Sequence, residues 1–451
     1  MVVHEAQTKK QTKRLESTPN NNLQIGAVVL ANGLLRLANN GTSALIGFYF
    51  ASLALSGQET ESFLFLTFAI SAFLLGFLNL IVNVFEMLGA LPFGLLIDRY
   101  SPRKIMVLGA MLGALATQMF NWGGGLIAIF FVSRMLEGLS AASVGPGLLS
   151  SLTDLTKDNP VKRSRVMSIF EVSLLIGLAA GSFVGGLLWD SVNTYGFSIM
   201  AVCYIAVALL SAFAYSNEPS AKPSGLPNAP KKVDSIATRL KVVFAHHSFR
   251  VFGPAWLALN AIVGMWAIQS PFLLSGPQVE GQYLTGLFTA TQTGYILLLY
   301  AGIFSSGAVA WGFMIPNRSK IKVMRLTMFG LLLMCAFLFL LNSGENFRPW
   351  MITMLGVFAG LSILVLAGFT PAALTYMADL ASISRQSTGT VMGAYSMLMG
   401  MGNAIGSFIG GWLAAEMAIN GLISGTLVLT GIAIFFLFTG AADDAPAPNS
   451  S

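Results

Sequence analysis

The sequence predicts an all-α, polytopic membrane protein of about twelve transmembrane helices in two six-helix pseudo-repeats, on three observations. The first is composition. Of 451 residues 55% are apolar, only 10% are charged and 47 are glycine, whereas an average soluble protein carries about 25% charged residues. So few charges cannot cover a water-facing surface, so the solvent must be lipid. The second is that apolar stretches of bilayer-spanning length recur along the whole chain. In lipid each must be a helix, because backbone polar groups need partners within their own segment. The third is a repeated phrase: "GLAAGSFVGG" ends at Gly186 and "GNAIGSFIGG" at Gly411, 225 positions later.

In order, residues 1–22 form a polar tail, expected in the cytoplasm, with no apolar core of a cleaved signal. The first six spans are expected at 24–54, 76–97, 104–121, 125–152, 165–189 and 196–215, giving an N-terminal half over 23–216. Residues 62–75 are also apolar and either extend the second helix or lie along the outer interface. A polar linker follows over 217–250, opening with "SNEPSAKPSGLPNAPKKVDS", a Pro/Ser/Lys composition typical of connectors. Ile236, Leu240, Val243 and Phe244 then share one helical face, as in a short helix on the cytoplasmic surface. His246 and His247 come next, where a surface loop tolerates histidine without giving it a task. The second half, 251–440, carries spans at 251–275, 286–314, 323–341, 349–377, 389–415 and 420–440, and residues 441–451 form a cytoplasmic tail.

Charge placement supports this threading. The formal net charge of +6 invites a nucleic-acid partner, but all Lys and Arg except Arg36, Arg134 and Arg348 fall in the N-terminal tail or the even-to-odd loops. That is the positive-inside asymmetry, with both termini cytoplasmic. Cys203 and Cys335 lie inside apolar spans, with no metal spacing and no disulfide framework. No nucleophile–base grouping, phosphate loop or metal-ligand spacing is present, so neither an enzyme nor a cofactor or metal is expected.

The repeat extends from Pro146 to Leu188 without gaps against the residues 225 further on. Asp154 faces Asp379, Val166-Met167 face Val391-Met392, and Gly177, Gly181, Ser182, Phe183, Gly185 and Gly186 meet their own kind. Gly177, Gly181 and Gly185, like Gly402, Gly406 and Gly410, recur every four residues on one helix face. Such a face lets two backbones approach closely. Parallel six-helix repeats joined by a linker suit two halves that rock about a midplane site, so the glycine faces are expected at the junction between the halves.

Between the second and third spans stands "GLLIDRYSPRK", Gly94 to Lys104. It resembles the cytoplasmic signature of the major facilitator superfamily: Gly94, Asp98, Arg99 and Arg103 match, and Ser101-Pro102 replace glycine and arginine in the turn. The resemblance implies the major facilitator fold and a latch between the halves on the cytoplasmic side. The second half's "GFMIPNRSKIK" keeps Gly312 but has Pro316 in place of the aspartate. Arg134 and Gly138 in "SRMLEG" resemble the family's Arg-x-x-x-Gly pattern, and the fifth span resembles its antiporter signature, with Ser182 in place of proline.

Charges within spans cost at least ~2.5–3.5 kcal/mol each at the bilayer centre, so those retained mark sites. At ~1.5 Å rise per residue, Arg36 and Glu86 sit roughly 18 Å from the cytoplasmic edge and Arg134 roughly 14 Å from the other. Glu137 shares a helix face with Arg134, and Glu171 lies shallower. Either Arg36–Glu86 and Arg134–Glu137 are permanent pairs that lock helices, or Glu86 or Glu137 loses its partner as the halves rock and carries a proton. The second half offers Asn260, Trp266, Gln269, Gln292 and Tyr295 as a less charged cavity wall. Together these features predict a monomeric secondary transporter of the cell membrane. It would carry a small organic, amphipathic solute, coupled to protons, with export favoured. The alternatives are a non-transporting membrane sensor or assembly or pigment-handling factor, and a proton-coupled importer.

Overall fold

The computed structural model describes residues 18–57, 60–63, 66–69, 71–99, 102–122, 127–156, 160–214, 247–315, 318–383 and 388–439. Most of the N-terminal tail, the linker with its expected surface helix and His246, Pro316, and the C-terminal tail lie outside the described residues.

The helices are α1 (Thr18–Leu55), α2 (Ala72–Arg99), α3 (Pro102–Trp122), α4 (Ile127–Leu155), α5 (Pro160–Val192) and α6 (Tyr195–Ala214). After the linker come α7 (His247–Ser275), α8 (Ala290–Met314), α9 (Lys320–Asn342), α10 (Pro349–Leu366), α11 (Phe369–Ile383) and α12 (Thr388–Thr439). Ten described stretches are long and apolar enough to cross a membrane. To these α1 adds a 38-residue helix whose Asn32, Asn39, Asn40 and Arg36 lower its hydropathy. The last stretch, Ser396–Thr439, has 44 residues, twice what a bilayer needs, and Ala418 breaks it at φ 48° and ψ −130°. The reversal separates the eleventh and twelfth crossings where the apolar pattern places their boundary. It is tied down by amides: Asn342 donates to Gln282 and Asn420 (3.1 and 3.0 Å), and Gln282 donates to Met417 O (2.9 Å).

Starts and stops follow local chemistry. α3, α5 and α10 begin on proline, whose missing N–H costs nothing in a first turn. Thr289 and Gln292 form a reciprocal capping box on α8. Asn193 turns α5 into α6 at φ 50°, a left-handed conformation that asparagine tolerates. The tenth crossing divides after Leu366, and there Gly368 packs under the Trp311 ring, where a Cβ would lie 2.6 Å from it.

One departure lies between α1 and α2. Thr60–Phe63 and Leu66–Ala69 pair as an antiparallel hairpin, Thr60 opposite Ala69, so of the apolar stretch 62–75 only residues 72–75 extend the second helix. Its β-branched and aromatic residues suit strands.

Packing pairs α5 with α1 and α8, and α12 with α7 and α2; α1 also meets α7. Asn32 donates to Phe170 O (3.0 Å) and Ser173 Oγ (2.9 Å), and Asn40 to Leu178 O (2.6 Å) and Ser182 Oγ (2.8 Å). Ser182, at the position where the antiporter signature has proline, is thus an acceptor for α1.

Candidate functional site

The interior charges belong to α1, α2 and α4. On α4, Arg134 and Glu137, three residues apart, form an ion pair. Arg134 is 0% and Glu137 1% exposed, and the Arg134 guanidinium sits 5.5 Å from the Phe120 ring centroid, a cation–π contact. Arg134 Nε and Nη1 and Glu137 Oε1 have no hydrogen-bond partner. The second expected pair does not form: no ion pair joins Arg36 to Glu86, and Arg36 Nε is buried without a partner. Arg36 acts on Glu86 at longer range. Glu86 itself lies exposed on α2, inside the second span. A flexible, exposed glutamate gains little from ordering itself against an arginine, in keeping with the absence of the pair inferred from equal depth.

Beside Arg36 lies a cavity of about 10 Å³ lined by Leu35, Arg36, Asn39, Ser140, Ala141, Gly145 and Tyr204. Ser140 Oγ, on the turn after Glu137, is also buried and unpartnered. Tyr204 of α6 is 1% exposed and within electrostatic reach of Arg134 and Arg36. Asn39, Ser140 and Tyr204 are not among the residues singled out from sequence. The one signal, a run of amides in an otherwise apolar first span, marks Asn39 alone.

Glu171 lies on α5 and Gly94, Asp98 and Arg99 on the last turns of α2, their side chains outside the described residues. Arg103 follows in the first turn of α3, partly buried, so only Tyr100 and Ser101 separate the two helices.

The glycine faces lie elsewhere than expected. A Cβ on Gly181 would meet Leu37 O at 2.8 Å, and Gly177 and Gly185 also abut α1, at Gly33 and Gly41. Gly402, Gly406 and Gly410 face Asn260, Ala261 and Met265 of α7. Both faces therefore seat a helix on the first helix of its own set of six, not on the other set.

The junction between the sets uses the next residue round the helix. Gly186 abuts Ala290 O of α8, and a Cβ on Gly411 would lie 2.9 Å from Gly76 Cα of α2. Around them Thr291 N donates to Asp190 Oδ2 (2.8 Å), Gln269 Nε2 to Ala72 O (2.8 Å) and Asn79 Nδ2 to Ser407 Oγ (2.7 Å). Phe183 packs on Tyr295 at 4.7 Å between centroids. All of these lie at the ends where α2 and α8 begin. Nearer the other end, Gly145, Gly312 and Gly400 face open space.

The residues expected to form a wall of the second half each have partners of their own. Asn260 donates to its own helix at Trp256 O (2.8 Å), and Trp266 to Thr426 Oγ1 (2.9 Å). Gln269 is a strut between the sets, Gln292 caps α8, and Tyr295 lies at the junction. Asn260 and Gln269 each donate to a backbone carbonyl, while Gln269 Oε1 stays buried without a partner.

A family model described as Major Facilitator Superfamily matches residues 29–381. The chain is 24% identical over 318 residues to Multidrug resistance protein 1 of Bacillus subtilis, covering 70% of this chain and 74% of that one. It is 24% identical over 382 residues to Magnetosome protein MamH of Paramagnetospirillum magneticum, covering 78% and 81%. Among solved structures, a bacterial homolog of the human lysosomal transporter Spinster, inward-facing and unoccupied, superposes with a TM-score of 0.70 at 14% identity over 95% of this chain and 99% of that one.

Proposed function

The chain belongs to the major facilitator superfamily, a family of multi-pass membrane transporters, and from that premise we propose that it moves a small organic, amphipathic solute by proton-coupled alternating access. The carrying observation is the close contact between the two sets of helices at one end of the bundle. Gly186–Ala290 and Gly411–Gly76 close the bundle where α2 and α8 begin, and on this reading the opposite end is the one that opens. Residues 23–216 and 251–440 are the rocking halves, the 217–250 linker joins them on the cytoplasmic side with both termini, and the open end is the inner one. The protein works as a monomer in the cell membrane. Likeness to a multidrug resistance protein favours export.

Purified protein in vesicles tests this with a trapped pH dye: addition of amphipathic organic solutes should shift internal pH, and protein-free vesicles should not. Likeness to a magnetosome protein and Pro316 in the second loop favour the competing reading, a non-transporting assembly factor, which predicts no shift for any solute. Asp98→Asn should lower flux at least ten-fold at equal membrane expression, because it removes the carboxylate of the inner latch and no packing surface. Flux near wild type would exclude the latch role.

A further inference from the structure

We infer that the carried solute bears a carboxylate, and that Arg36, Asn39, Ser140 and Tyr204 form the pocket that receives it; this rests on the transporter reading. The cavity beside Arg36 is lined by a guanidinium, an amide and two hydroxyls, and by no carboxylate. Two of its polar atoms, Arg36 Nε and Ser140 Oγ, are buried without a partner. A buried unpartnered donor costs what a lost hydrogen bond costs, and an arginine held so in a membrane span is retained for a ligand or a path.

The charge balance selects the ligand. Arg134 is neutralised by Glu137 on its own helix, and Glu86 forms no ion pair among the described residues. Arg36 is thus the one charge that lines the pocket, with Glu86 acting on it only from a distance. Guanidinium and hydroxyl donors around a site with no fixed anion suit an anionic oxygen acceptor, and arginine binds carboxylates through charge-assisted hydrogen bonds.

Size selects how much of the ligand enters. About 10 Å³ holds one water-sized group, so a carboxylate oxygen enters and the rest of the solute stays outside. Gly145 lines the pocket, and a Cβ there would meet nothing within 4 Å. That open side is the mouth.

Benzoate, its neutral isostere benzamide and the cation tetraphenylphosphonium serve as probes on the full-length protein in detergent and in vesicles. Benzoate should raise the melting temperature of wild type with saturable dependence, and benzamide should not. Arg36→Gln, which removes the charge, and Gly145→Leu, which fills only open space, should each raise the half-saturating benzoate concentration at least ten-fold. Absence of any benzoate effect, equal effects of benzamide, or affinity unchanged in both variants would overturn the inference. A vesicle pH response to tetraphenylphosphonium that survives Arg36→Gln, without benzoate binding, sinks the carboxylate pocket and leaves the transporter standing. Arg36-dependent benzoate binding with no proton movement for any solute does the reverse.

Discussion

Glu137→Gln is expected to destabilise the protein by about 3–5 kcal/mol, the range for removing one partner of a buried ion pair. Arg134 is fully buried, already has two unpartnered nitrogens, and would lose its only counterion in contact. Glu86→Gln is expected to do the opposite: little change in stability, because Glu86 forms no ion pair with Arg36 or Arg134, but loss of proton-driven accumulation with downhill exchange preserved. The two glutamates lie at similar depths, so the contrast isolates environment from position. Melting temperature in detergent and gradient-driven against downhill flux in vesicles, measured on both variants, decide it. If Glu86→Gln melts early and stays coupled, its carboxylate is structural and the proton moves elsewhere.

Leucine at the glycines is expected to separate packing from gating. Gly406 faces the Ala261 carbonyl so closely that any Cβ would collide with backbone of α7, and neither helix can yield by rotating a side chain. Overpacking a core commonly costs about 1–3 kcal/mol, and a forced backbone separation exceeds that, so Gly406→Leu should give little folded protein. Gly411 instead meets α2 across the junction, where α2 can move away with its whole set. Gly411→Leu should therefore fold, fail to close the end where α2 begins, and stop transport. Ala72→Cys, in a background without Cys203 and Cys335, reports this through a membrane-impermeant thiol reagent. Its labelling should rise at least five-fold with Gly411→Leu, and unchanged labelling would mean the junction does not gate.

What the sequence by itself determined was whatever depends on neighbours along one helix. The crossings, the break between the last two near residue 418, the Arg134–Glu137 pair and the glycine periodicity all arise within a few residues, and local spacing specifies them. Only the tertiary structure decided which helix each feature meets. Gly177, Gly181 and Gly185 look to α1, while Gly186, one residue on, looks across to α8. Arg36 and Glu86 share a depth but not a contact, and the amides of α7 and α8 turn to backbone partners rather than to a shared wall. In water a helix declares its buried face by being apolar there. In lipid both the packed and the exposed faces are apolar, and helices associate by close fit and scattered polar contacts, so pairing is written in shape across distant segments and hardly at all in the pattern of any one of them.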